Sequence, residues 1–148
     1  MRKPSIGYVP LLLLLLLTCS QCRTSRSKQL QKDYKTTYIH QFKLTYLRKL
    51  LQAGFNHSEA IYSLIQFDRS GFSEPILSDD DYRLIDSLVK QDNLRMATDS
   101  IDRMGRVAEG AQGKHVLTFM LYRMQGKWLD SLAKRRYNNS DKKSWYSE

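Results

Sequence analysis

The residues of this chain that could do chemistry are few, and their spacing fits no known chemistry. Its three histidines, His40, His57 and His115, form no pair with the helical or loop spacing that zinc sites use. Asp68, Ser70 and Ser73, followed by Asp79, Asp80 and Asp81, invite a calcium reading. Gly71 is at the wrong offset for such a loop, however, and no Glu closes it. Three aspartates opening a helix already have a simpler role, complementing the helix dipole. The glycine-flanked turn Gly110-Ala111-Gln112-Gly113-Lys114 lacks the spacing of a phosphate-binding loop and its closing Gly-Lys-Ser/Thr. No Ser-His-Asp or Cys-His arrangement is present. The expectation is therefore a protein without catalytic residues, cofactor or metal, whose function lies in binding.

The N-terminus bounds where that binding takes place. Arg2 and Lys3 precede an apolar run from Ile6 to Leu17, which includes seven consecutive leucines, and small or polar residues follow. This is the layout of a signal peptide, expected over residues 1–22, and the run stops short of the roughly 20 apolar residues a membrane span needs. Two routes of processing are open. Thr18-Cys19-Ser20 suits a signal peptidase, whereas Leu16-Leu17-Thr18-Cys19 is similar to a loose lipoprotein box in which Cys19 is lipidated and anchors the chain to a membrane. Both cysteines, Cys19 and Cys22, lie at this junction, so no disulfide framework is expected and the core must hold by packing.

The whole chain carries +9. Loss of Arg2 and Lys3 with the leader leaves 22 basic against 15 acidic residues, or +7. Partners are then expected to be acidic or neutral. The basic residues are spread along the chain, apart from Lys134-Arg135-Arg136 and Lys142-Lys143, and no aromatic-basic motif points to nucleic acid.

The elements that would position any binding residues all read as helices. Leu30, Tyr34, Tyr38, Phe42, Tyr46 and Leu50 recur at steps of four, predicting a helix from Ser25 or Ser27 to about Ala53 that Gly54 stops as a C-cap. Its tyrosines read as core or interface, with hydroxyls on a partly wet face. Asn56 and Glu59 predict the start of a second helix to about Asp68, with Ala60, Ile61, Leu64, Ile65 and Phe67 on its apolar side. The turn-rich stretch Asp68 to Leu77 predicts a protruding or folded-back loop, in which Phe72 is either a plug into the core or an exposed anchor. Ser78 and Asp81 have capping-box spacing. Tyr82, Ile85, Val89, Ala97, Ile101, Met104 and Ala108 then predict a helix, or two collinear ones, to Ala108. At about 31 residues and about 46 Å, it is expected to be the spine of the fold. A nearly apolar helix from Lys114 to Met124 is expected in the centre of the bundle or at a subunit interface. A last helix over Lys127 to Tyr137 and a polar tail, 138–148, complete the chain. The expected fold class is all-α, one compact bundle of about five helices over 23–137.

Gly113-Lys114, an apolar helix, the run Tyr122-Arg123-Met124-Gln125-Gly126-Lys127-Trp128-Leu129-Asp130-Ser131-Leu132-Ala133-Lys134 and the closing Tyr137 resemble the C-terminal signature of the Tai4-type immunity proteins. These are small exported helical proteins that neutralise type VI secretion amidases. The resemblance covers about residues 112–137 by motif and 30–137 by helix pattern. It departs from the family where Phe119-Met120-Leu121 stands in place of an expected cysteine. It implies a periplasmic homodimer that sterically covers the groove of a peptidoglycan-cleaving cysteine amidase. Charge gives a separate check, because inhibitors of basic nucleases tend to be acidic and this chain is basic. By analogy the contact residues would be Arg69, Phe72, Glu74, Arg106, Glu109, Gln112 and Lys114, on the loops at the two ends of the long helix. The alternative is a periplasmic or lipid-anchored adaptor that uses the same bundle to hold an envelope complex.

Overall fold

The computed structural model describes residues 9–71, 76–108 and 112–140, with side chains from residue 26 onward. The described residues form an all-α bundle of five helices: α1 (Val9–Gly54), α2 (Glu59–Phe67), α3 (Asp79–Asp102), α4 (Val116–Gln125) and α5 (Lys127–Asn139). The spine is α1 rather than α3, because every other helix packs on α1. Tyr38, Phe42, Tyr46 and Leu50 are buried at the predicted four-residue steps. Each such side chain stabilises the fold by roughly 1.5–3 kcal/mol through burial.

Two helices complete the core. α3 runs parallel to α1, since Tyr38 meets Asp81 and Tyr46 meets Asp92. α5 runs antiparallel, bringing Tyr137 to within 5.4 Å of Tyr38, ring to ring, and Asp130 to within 3.7 Å of Lys43. Ile85, Val89 and Met96 of α3 and Leu129, Ala133 and Tyr137 of α5 fill the space between them. Among the described residues every buried side chain lies between Tyr38 and Tyr137. A chain starting at residue 23 therefore keeps the whole core.

The structure corrects the sequence reading at four places. α3 ends at Asp102, six residues before Ala108, so its 24 residues span about 36 Å. The chain turns there through Gly105 at φ +73, a conformation glycine adopts without steric cost, and Ile101 and Met104 lie exposed. The residue at the start of α2 is Ser58, whose side chain makes no capping bond, rather than Asn56, which instead takes φ +53 beside His57 at +56 in the turn leaving α1. No residue of α2 is buried, and Tyr62, Leu64 and Phe67 face out. Gly54 closes α1, but its φ is not positive, and it is glycine because α4 begins against it. A Cβ there would sit 2.6 Å from Cγ1 of Val116. Finally, α4 is not in the centre of the bundle. Only Val116 is buried in it, because α1, α3 and α5 already enclose the core.

α1 continues without a break from Val9 through Cys19 and Cys22 into the bundle. Among the described residues no helix has an apolar stretch long enough to cross a membrane. The expectations for residues 1–8, for the side chain of Cys19 and for the tail from 141 lie outside the described residues.

Candidate partner interface

The scaffold is built around two copies of one polar device. Tyr38 and Tyr46 stand two turns apart on α1, about 12 Å along the axis. The Tyr38 hydroxyl donates to Asp81 Oδ1 at 2.9 Å, and Arg136 Nε of α5 donates to the same oxygen at 2.8 Å. The Tyr46 hydroxyl donates to Asp92 Oδ2 at 2.6 Å, and Arg123 of α4 donates to Asp92 Oδ1. Both aspartates are buried to 1% exposure. Asp81 also receives the Ser78 amide and hydroxyl on Oδ2, each at 2.9 Å, so the capping box that starts α3 also closes the buried cluster. Arg123 lies between two rings, 4.5 Å from the centroid of Trp128 and 5.3 Å from that of Phe119, where cation–π attraction and burial reinforce each other.

Burial, then the hydrogen bond to the carboxylate, pushes both phenols far above the usual tyrosine range. The phenols are therefore neutral donors and the carboxylates are saturated acceptors. Tyr38 and Tyr46 form the predicted stripe, but their hydroxyls are dry rather than facing a wet surface. Asp92 was not singled out from the sequence, and Asp81 only as a cap and dipole partner. A signal was present: positions 81, 85, 89, 92 and 96 form one helical stripe, and two of its five members are Asp.

The residues expected to contact a partner are distributed as follows. Arg69 is exposed on a loop folded back onto the last turns of α1: Arg48 donates to Asp68 Oδ2 at 2.7 Å and to the Ser70 carbonyl, and the Ser70 amide donates to Asp68 Oδ1 at 2.9 Å. The Ser70 hydroxyl first, then Arg48, hold the Asp68 carboxyl well below the usual range. Arg106 and Gln112 are exposed on the connection between α3 and α4. Lys114 is half-buried, and its Nζ donates to Asn56 Oδ1 at 2.9 Å and to Asn93 Oδ1 at 3.1 Å, fastening the end of α1 and the middle of α3 to the start of α4. Phe72, Glu74 and Glu109 lie outside the described residues. One loop is thus anchored to the last turns of α1, the other to the turn that follows α1 and to α3.

Of the two placements expected for α4, the structure excludes the centre of the bundle and leaves its outer face exposed. Leu117, Leu121, Met124 and, at the start of α5, Trp128 recur at steps of three and four, and all are exposed, Leu117 to 66% and Leu121 to 59%. Beside them a cleft of about 240 Å³ opens between α4 and the last turns of α3, lined by Met96, Ser100, Arg103, His115, Thr118 and Phe119 among others. Leu94, Ile101 and Met104 on α3 are exposed as well. Among the described residues no three His, Cys, Asp or Glu side chains cluster as a metal site would require. The arrangement offers shape, apolar area and scattered positive charge. No family model, no curated protein and no solved structure matches this chain.

Proposed function

We propose that the chain is an exported immunity protein that binds a secreted peptidoglycan amidase in the periplasm and blocks its groove by bulk. The observation that carries this reading is the apolar stripe Leu117, Leu121, Met124 and Trp128, left uncovered on a scaffold whose polar groups are tied up inside. Apolar stripes of this kind on soluble domains mark surfaces that another protein covers. The stripe lies within the segment that resembles the amidase-neutralising family, and the basic balance of the chain fits a partner other than a basic nuclease. In this reading two copies pair through the outer face of α4, and the exposed turns bearing Arg69, Arg106 and Gln112 meet the amidase. Inhibition is steric and asks for no reactive group on this chain.

The test is a titration of residues 23–148 into the product of the adjacent reading frame, following heat, peptidoglycan cleavage and, by light scattering, the mass of the free protein. The expected result is a dimer that binds at nanomolar Kd, about 12 kcal/mol, with loss of cleavage. A monomer with no affinity for a neighbouring hydrolase would return the chain to the adaptor class.

A further inference from the structure

We propose that the pole of the bundle where α1 enters binds an anionic lipid surface. α1 passes in one unbroken helix from the leucine run into residues 26–33, all of them exposed, before Tyr34 makes the first contact with the bundle. Those eight residues are about 12 Å of helix, exposed among the described residues. They carry Arg26, Lys28 and Lys32, none of which forms an ion pair among the described residues, whereas Lys43, Lys49 and Arg83 in the bundle are paired with carboxylates. The carboxylate of this segment, Asp33, accepts from Gln29 at 2.9 Å.

The cations are also aligned. Lys28, Lys32 and Lys35 follow at steps of four and three on one face of the helix. Lys35 fixes the direction of that face, since it donates to Asn138 at 3.3 Å and lies 5.5 Å from the centroid of the Tyr137 ring at the end of α5. The exposed Arg135 stands on the same final turns. Position along the chain selects lipid over other polyanions. The basic segment begins within a few turns of seven consecutive leucines, so it lies at headgroup depth if Cys19 is anchored, and it becomes the chain's own basic end if the leader is removed. Each Lys or Arg near an anionic leaflet strengthens attachment roughly fivefold, within a Debye length of the surface. Bound in this way, the bundle would stand with α4 and the last turns of α3 directed away from the membrane. This inference does not rest on the amidase reading.

The test is co-sedimentation of residues 23–148 with vesicles of phosphatidylcholine alone or containing phosphatidylglycerol. Binding is expected to the mixed vesicles only, and high salt should reverse it. The variant Arg26→Gln/Lys28→Gln/Lys32→Gln should bind roughly a hundredfold more weakly. Lys90→Gln/Arg103→Gln/Lys127→Gln, with the same loss of charge at the far pole, should bind as the parent does. All six positions are exposed, and circular dichroism checks that the helices persist. Absence of binding, equal binding to both vesicles, or equal weakening by both variants would overturn the proposal.

Discussion

Tyr46 donates its hydroxyl to Asp92 at 2.6 Å in the interior of the bundle, eight residues after Tyr38 does the same to Asp81 at 2.9 Å. The two bonds pair α1 with α3 at two levels, and Arg136 and Arg123 bring α5 and α4 to the same carboxylates. An apolar seam alone tolerates a slip of one helix past another. A slip here would leave two buried carboxylates without donors, a cost of several kcal/mol each. The paired links therefore fix register while the surrounding aromatic and aliphatic side chains supply most of the stabilisation.

Breaking one link should be expensive, whereas replacing it whole should not. Asp92→Ala strands the Arg123 guanidinium between its rings, and Arg123→Ala leaves the buried Asp92 with only the Tyr46 hydroxyl and the more distant, exposed Arg95 at 3.7 Å. Each is expected to cost about 3–5 kcal/mol in urea unfolding. The triple change Tyr46→Phe/Asp92→Leu/Arg123→Met should be neutral or stabilising, because no charge is left buried. Single variants costing under about 1 kcal/mol would show that the link contributes little.

Alkaline pH should attack the same two links. Burial and the carboxylate partners raise the folded-state pKa of Tyr38 and Tyr46 above the unfolded value of about 10. The stability this confers is complete below pH ~10 and is lost as pH rises above it, because the unfolded chain then releases two protons that the fold retains. The slope from the pair is about 2.7 kcal/mol per pH unit. Urea midpoints measured on either side of pH ~10 should fall steeply for the parent and distinctly less for Tyr38→Phe/Tyr46→Phe. Parallel declines would place the alkaline sensitivity elsewhere.

The stripe Tyr38, Phe42, Tyr46 and Leu50 was legible because aromatic and aliphatic residues at four-residue steps can bury together only on a helix. The capping box was legible for a similar reason: Ser78 and Asp81 satisfy backbone amides that any helix start exposes. What the sequence hid depends on neighbours. Asp92 is an ordinary polar residue until Tyr46 and Arg123, 46 and 31 positions away, converge on it. The all-round apolar character of α4 did not reveal that three other helices would take the core and leave Leu117 and Leu121 outside. Lys114 looked like a free cation on a turn, and only the fold brings Asn56 and Asn93 to it.

Gly54 tests the junction of α1 with α4. Its replacement by Ala should gain up to about 1 kcal/mol of helix preference. The new Cβ would lie 2.6 Å from Cγ1 and 3.0 Å from Cγ2 of Val116, a branched side chain with little rotamer freedom to move aside. Overpacking of this kind costs roughly 1–3 kcal/mol, so Gly54→Ala should be destabilising on balance. Combined with Val116→Ala, which removes both methyls, the loss should fall short of the sum of the two single losses by about 1 kcal/mol or more. Strict additivity would mean that the helix ends separate without strain.

The outer face of α4 should separate binding from folding. Leu117→Ser and Leu121→Ser alter exposed side chains and are expected to change stability by no more than about 0.5 kcal/mol each, with the double variant still helical. Leu129→Ala, eight residues on from the exposed Leu121 but 99% buried, should cost about 2–5 kcal/mol. If α4 is the surface that a second copy covers, the surface double variant should be monomeric in light scattering while the core variant, at temperatures where it remains folded, keeps the parent's mass. A surface double variant with the parent's mass would move the dimer contact to the exposed face of α2, where Tyr62, Leu64 and Phe67 are the next uncovered apolar side chains.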